Sequence, residues 1–233
     1  MTGGVTPDGA TVSNNELHTD LRTAVRELCS RFPDSYWREL DAQEAYPEEF
    51  VKTLTEAGYL AALIPEEFGG SGLGIAEASI ILEEVNRSGG NSAACHAQMY
   101  IMGTLLRHGS EAQRSHYLPK IATGELRLQA FGVTEPTTGT DTTQMKTMAV
   151  RKGDRYVVNG QKVWTSYADK ADWIFALVRT DREAPKHKGI SFVLIDMTTP
   201  GVTTRPIRLI SGQWIQRRPF AFRGWVNPIH CVA

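Results

Sequence analysis

The chain has 233 residues, 41% of them hydrophobic, which is enough for one large domain or two small ones with a real core. Its formal net charge of −1 gives no whole-chain basis for binding nucleic acid or an anionic membrane surface. No segment approaches the ~20 consecutive apolar residues that a membrane-spanning helix needs.

Residues 1–15 are rich in Gly, Thr, Asn and Pro, with no basic stretch followed by an apolar run, so they read as a disordered leader rather than a signal peptide. From Leu17 to Leu126 apolar residues recur at helical spacing, and residues 16–128 are expected to form a helical domain. One face carries Leu17, Leu21, Val25 and Leu28, and a second Phe50, Leu54 and Ala57. A third carries Ile75, Ala78, Leu82 and Val85, and a fourth Met102, Leu105 and Leu106. Pro47 before Glu48 and Glu49 suits the first turn of a helix, while Gly58 and Gly109 suit helix C-termini, where glycine accepts a positive φ. Gly70-Ser71-Gly72-Leu73-Gly74 has the spacing G-x-G-x-G with no strand before it, so an inter-helix turn is expected there rather than a dinucleotide site.

After Leu128 the period changes to short β-rich runs: 148–151, 156–158, 162–166, 173–179, 190–196 and 202–210. Asn159-Gly160 between two apolar runs predicts a type I′ hairpin turn. Residues 129–211 are therefore expected to form a small antiparallel barrel or sandwich. Helices followed by strands make the fold class α+β, with a junction near Leu128 of the kind where ligands often sit.

Cys29, Cys95 and Cys231 are odd in number and widely spaced, with no C-x-x-C pair. Reduced thiols and a cytoplasmic location are expected. His18, His96, His108, His116, His187 and His230 show no ligand spacing, so no metal site is predicted.

Two segments carry chemistry. Phe131-Gly132-Val133-Thr134-Glu135-Pro136-Thr137-Thr138-Gly139-Thr140-Asp141-Thr142 is a strand leading into a loop dense in hydroxyls and backbone donors. If a flavin ring lay against it, negative charge developing at the N1 and O2 edge on hydride uptake would meet the Val133-Thr134 backbone and the Thr134 hydroxyl. Pro136 and Gly139 would turn the chain so that Gly139 and Thr140 approach a polar ligand closely. In the second segment, Asn159-Gly160-Gln161-Lys162-Val163-Trp164-Thr165-Ser166, strand alternation sends Trp164 and Ser166 to one side, the indole over a ring face and the hydroxyl toward N5.

The two segments together resemble acyl-CoA dehydrogenases, which carry V-T-E-P-x-x-G-[ST]-D and then, after N-G-x-K, W-[IT]-[TS]. Ile64-Pro65-Glu66-Glu67-Phe68-Gly69-Gly70-Ser71-Gly72, Gly109 to Arg114 and Tyr117-Leu118-Pro119 resemble that family's inter-helix segments, and the likeness covers residues 16–211. It implies FAD as cofactor, with Phe131, Val133, Thr134, Gly139 and Thr140 lining it and Val133 and Thr134 at the pyrimidine edge. Trp164, Thr165 and Ser166 would lie near the ring and N5, and Thr140 would also touch the thioester of an acyl-CoA substrate. The implied reaction is α,β-desaturation, with electrons passed to a separate electron-transfer partner, in a family of homo-oligomers. Thr137-Thr138 replaces the commoner small-residue pair, and Ser166 stands where Thr is frequent.

In the family the catalytic base is a Glu of a C-terminal helical domain, and no Glu of this chain matches it, so no catalytic residue is assigned. Glu135 has a structural place in the motif. Residues 212–233 no longer resemble the family: Arg217, Arg218 and Arg223 accompany Trp214 and Trp225 without an acid, as in a frameshifted end. The expectation is a truncated member with impaired or no activity. A flavin oxidase or monooxygenase on the same scaffold, a non-catalytic truncated product, and a genuine tail pairing as an edge strand are the alternatives.

Overall fold

The computed structural model describes residues 14–205, 207–208, 214–215, 218–226 and 231–232. The expected leader lies almost wholly outside them, as do parts of the 212–233 tail. By its internal packing the chain divides into two compact units, Met1–His96 and Ala97–Ala233.

The first unit contains α1 (Asn14–Cys29), α2 (Asp34–Ala42), α3 (Glu48–Glu56), α4 (Ile75–Arg87) and the start of α5 (Ser92–His108), with 3-10 turns at Tyr59–Ala61 and Glu66–Phe68. Its core takes Val25 and Cys29 from α1, Phe50, Val51 and Leu54 from α3, and Ala78, Ile81 and Val85 from α4. The predicted stripes hold in their centres and fail at their ends. Ile75 is 75% exposed at the first position of α4, and Ala57 is the exposed C-cap of α3. The chain reverses after α3 at Gly58, which takes the expected positive φ of 79°. Phe32, Tyr36, Trp37 and Phe50 meet edge-to-face at 4.8–5.1 Å, which anchors α2, a helix that the apolar stripes do not reveal.

A row of nitrogen-bearing side chains at four-residue spacing on α1, His18, Arg22 and Arg26, faces acids on α4. His18 Nε2 lies 2.7 Å from Glu77, whose other oxygen accepts the Gly74 N–H at the start of α4. Arg22 and Arg26 both donate to Glu84 at 2.6 Å, and the Glu84 side chain is fully buried. Hydrogen bonds from Arg26, and then Arg22, overcome the opposing effect of burial and hold this carboxyl down at about 2, against an ordinary value of 4.5. A depressed folded pKa means stabilisation that is present above about pH 4.5 and lost as pH falls through about 2. Glu84→Gln is therefore expected to lower the melting temperature at pH 7 and to flatten its decline between pH 4.5 and 2, as followed by circular dichroism.

The second unit contains the rest of α5, α6 (Glu111–Thr123) and the strands. Ser110 caps α6 by accepting from the Gln113 N–H, while Gln113 Oε1 returns the bond to the Ser110 N–H. Gly109 ends α5 for a reason other than a positive φ. A Cβ there would lie 2.5 Å from the Leu105 carbonyl oxygen.

The strands are β1 (Ala130–Gly132), β2 (Met148–Lys152), β3 (Arg155–Thr165), β4 (Trp173–Arg179), β5 (Ile190–Asp196), β6 (Val202–Thr204), β7 (Ile207–Arg208), β8 (Trp214–Ile215), β9 (Arg218–Val226) and β10 (Cys231–Val232). Among the described residues the main sheet runs β10-β5-β4-β2-β3-β9-β6, with β1 pairing parallel to β4, and β7 and β8 form a separate pair. The α+β class is as expected; the sheet is open rather than closed into a barrel. Alternation along β4 and β5 builds its core from Ile174, Ala176, Val178, Val193 and Ile195, joined by Ala130, Ala149 and Val158.

The hairpin prediction needs correction. Asn159-Gly160 lies inside the single long strand β3, and the β2–β3 turn is Gly153-Asp154, closed by the pair Lys152↔Arg155. Gly153, at the first central position, has φ 63°, as a Gly-first two-residue turn requires. Gly160 is needed for space, because a Cβ there would lie 2.3–2.5 Å from the Thr147 side chain. Residues 218–226 of the tail form β9, which lies between β3 and β6 rather than at an edge.

Candidate functional site

The hydroxyl-rich loop leaves β1 and is folded by its own backbone. Glu135 and Thr138 exchange N–H···O bonds of 2.9 and 3.1 Å, closing a turn over Pro136-Thr137. Asp141 then caps the 3-10 turn Thr142–Gln144, and hydrogen bonds from Thr143 and Gln144 hold its carboxyl below the usual range. Arg179 of β4 secures the far end, donating 2.6 Å to the Thr143 carbonyl, while its backbone N–H donates to Thr147.

Beneath the loop lies a buried ion pair. Lys162 Nζ donates to Glu135 Oε1 at 2.9 Å and to the Val133 carbonyl at 3.1 Å; the two side chains are 1% and 3% exposed. The Glu135 carboxylate also accepts the backbone N–H groups of Lys146 and Thr147. Burial works against the charged form, but bonds from Thr147, Lys146 and Lys162 outweigh it and hold the Glu135 carboxyl below its ordinary range. Burial lowers the Lys162 pKa, and Glu135 opposes this. Gly132 leaves room for the lysine stem, since a Cβ there would come within 3.2 Å of Lys162 Cγ. Lys162 was missed as a site residue in the sequence, although it repeats the inward position of Val158 on β3, where a lysine demands a partner.

One backbone bond joins the two predicted segments: the Val163 N–H donates 2.8 Å to the Thr134 carbonyl. Val133 and Thr134 are thereby placed beside the Trp164 segment. β3 carries an extra residue between Lys162 and Thr165 relative to β9, so strict side-chain alternation is interrupted just before Thr165. Trp164 takes φ 61° in this bulge and is 51% exposed, and Lys162 and Thr165 both point inward although three residues apart. The Thr165 side chain is 0% exposed and its hydroxyl has no partner among the described residues. Thr165→Val should therefore raise stability by about 1 kcal/mol in urea denaturation, by removing a buried hydroxyl that makes no bond.

Phe131 meets Tyr100 of α5 edge-on at 5.7 Å and stacks on Phe192 of β5 at 5.7 Å. Gly139 and Thr140 lie on an exposed arm of the loop, and nothing comes within 4 Å of where a Gly139 Cβ would stand. Of the loop's hydroxyls, that of Thr138 is turned inward onto the Gln144 carbonyl at 3.3 Å, whereas Thr134 and Ser166 are half-buried and Thr140 is exposed. With an exposed indole, hydroxyls at least partly open to solvent and a neutralised ion pair behind them, this donor set fits a planar, hydrogen-bonding ring such as FAD carries.

The profile "Acyl-CoA dehydrogenase, N-terminal domain" matches residues 15–125, and "Acyl-CoA dehydrogenase, middle domain" matches residues 130–215. The chain belongs to the acyl-CoA dehydrogenase family, a family of FAD-dependent oxidoreductases. It is similar to acyl-CoA dehydrogenase FadE29 of Mycobacterium tuberculosis, with 39% identity over 87% of this chain and 51% of that protein. Among solved structures, the acyl-CoA dehydrogenase of Geobacillus kaustophilus aligns at a TM-score of 0.85 and 28% identity, over 94% of this chain and 58% of that one. A glutaryl-coenzyme A dehydrogenase in complex with glutaryl-CoA aligns at 0.83 and 30%, over 96% and 57%. The chain spans about half the length of the curated relatives it matches.

Cys29 and Cys95 are free and buried, and burial pushes the Cys95 thiol up to about 12, so it is not a nucleophile at neutral pH. No helix among the described residues is long and apolar enough to cross a membrane.

Proposed function

We propose that this chain supplies the flavin-facing part of an enzyme that desaturates acyl-CoA thioesters between Cα and Cβ. The observation that carries the reading is the Val163–Thr134 backbone bond, which joins the hydroxyl-rich loop to the segment of the exposed Trp164. FAD, when bound, supplies the hydride acceptor.

The chain's own residues bind and orient. Thr134 donates from its backbone N–H and hydroxyl to the electron-rich edge of the ring, together with the Val133 backbone, while Phe131 flanks it. Trp164 covers a ring face, and Ser166 offers its hydroxyl near the reacting edge; Thr165 contributes through its backbone, its side chain being buried. Gly139 and Thr140 approach the ligand from the exposed arm, with Thr140 also reaching the thioester. Glu135 is engaged with Lys162 and is not the proton acceptor, a role assigned to no residue of this chain. Electrons leave to a separate electron-transfer partner.

Titration with FAD tests the reading. Quenching of flavin fluorescence, a rise in melting temperature, and loss of both in Trp164→Ala combined with Thr134→Val are expected. A wild-type chain that leaves FAD fluorescence and its own melting temperature unchanged refutes it. A panel of acyl-CoA thioesters, assayed for enoyl product with an artificial acceptor, then defines the substrate range.

A further inference from the structure

We propose that Lys162 is a positioning residue for the cofactor, orienting and polarising the Val133–Thr134 peptide so that the Thr134 N–H is aimed at the flavin. This rests on the flavin reading above and extends it to a buried residue that would not touch the ring.

In a trans peptide the carbonyl of one residue and the N–H of the next point in opposite directions. The Val133 carbonyl is bound by the Lys162 ammonium at 3.1 Å, so the Thr134 N–H of that same peptide points away from the ion pair. The next peptide is set independently by the Val163 N–H on the Thr134 carbonyl at 2.8 Å, which sends the Glu135 N–H into the Glu135–Thr138 turn. Both peptides flanking Thr134 are thus fixed from the protein side.

A cation on the carbonyl oxygen also draws electron density through the amide, which makes the distal N–H a stronger donor. Glu135 balances the charge and limits where the ammonium can sit. A structural staple would need the ion pair alone, and the second bond to Val133 would then have no consequence beyond stability.

The test uses the full chain with Lys162→Met and Lys162→Gln, the latter retaining a neutral donor. In ¹H–¹⁵N spectra without flavin, the Thr134 amide proton should move upfield in the Met variant by more than any other amide of residues 130–140, and part way in the Gln variant. FAD affinity should fall about tenfold in the Met variant and recover partly in the Gln variant, because one oriented donor is lost and then partly restored. A Thr134 amide unmoved in the folded Met variant overturns the proposal, as does a Gln variant identical to wild type if the Met variant does not fold. A wild type that takes up no flavin refutes the cofactor reading, and the amide shift still decides the role of Lys162.

Discussion

Glu135→Ala should destabilise the chain by about 3–5 kcal/mol, the range found when one partner of a buried ion pair is removed. The carboxylate serves Lys162 and two backbone N–H groups, of Lys146 and Thr147, and all three lose their acceptor at once. The ammonium is left on a side chain only 1% exposed, with the Val133 carbonyl as its remaining bond. Urea unfolding at pH 7 gives the measurement. Glu135→Leu with Lys162→Met should recover part of the loss, because an apolar pair of similar volume leaves no buried charge, although the two backbone donors stay unsatisfied. A loss below about 1 kcal/mol in the single variant would mean that water reaches Lys162.

Gly70→Ala is the second large effect, with an expected cost of about 3 kcal/mol. A Cβ at this position would stand 2.1 Å from the Ile64 carbonyl oxygen, 2.5 Å from Ile64 Cβ and 2.6 Å from the Ala61 oxygen. Two of the three are backbone atoms of a buried turn, and neither can rotate away. The same turn accepts from the Ser71, Gly72 and Leu73 N–H groups at 2.7–3.3 Å, so relief by moving the backbone breaks those bonds as well. Gly103→Ala, in a helix with nothing within 4 Å of the new Cβ, should instead stabilise by about 0.5–1 kcal/mol. Thermal melts of the two variants should therefore shift in opposite directions.

Gly70 also shows how sequence punctuation is read. The run Gly70-Ser71-Gly72-Leu73-Gly74 is the inter-helix turn it was expected to be, and its first glycine serves close backbone packing rather than a phosphate. Gly160 was misread because Asn-Gly is a strong local turn signal, whereas here the demand comes from Thr147 on the neighbouring chain segment. Local rules describe what a residue permits; which permission is used depends on its neighbours in space.

Elements whose pattern is strong and local were legible. The strands Trp173–Arg179 and Ile190–Asp196 appear with the boundaries that alternation and apolar content suggest, and the centres of α1, α3 and α4 bury the residues that helical spacing selects. Helix α2 escaped because it packs through the half-buried rings of Tyr36 and Trp37 rather than through an aliphatic stripe.

The residues alone established the change from helical to strand period near Leu128 and the two segments whose motifs resemble the family. Folding was needed to bring those segments together, to open the sheet rather than close it, and to place a bulge between Lys162 and Thr165. The reason is range: helical stripes arise within a few residues, whereas the Lys162–Glu135 pair joins positions 27 apart and the bulge at Trp164 exists only against β9. Such contacts depend on which strand lies alongside, and that is chosen by the burial of the whole sheet.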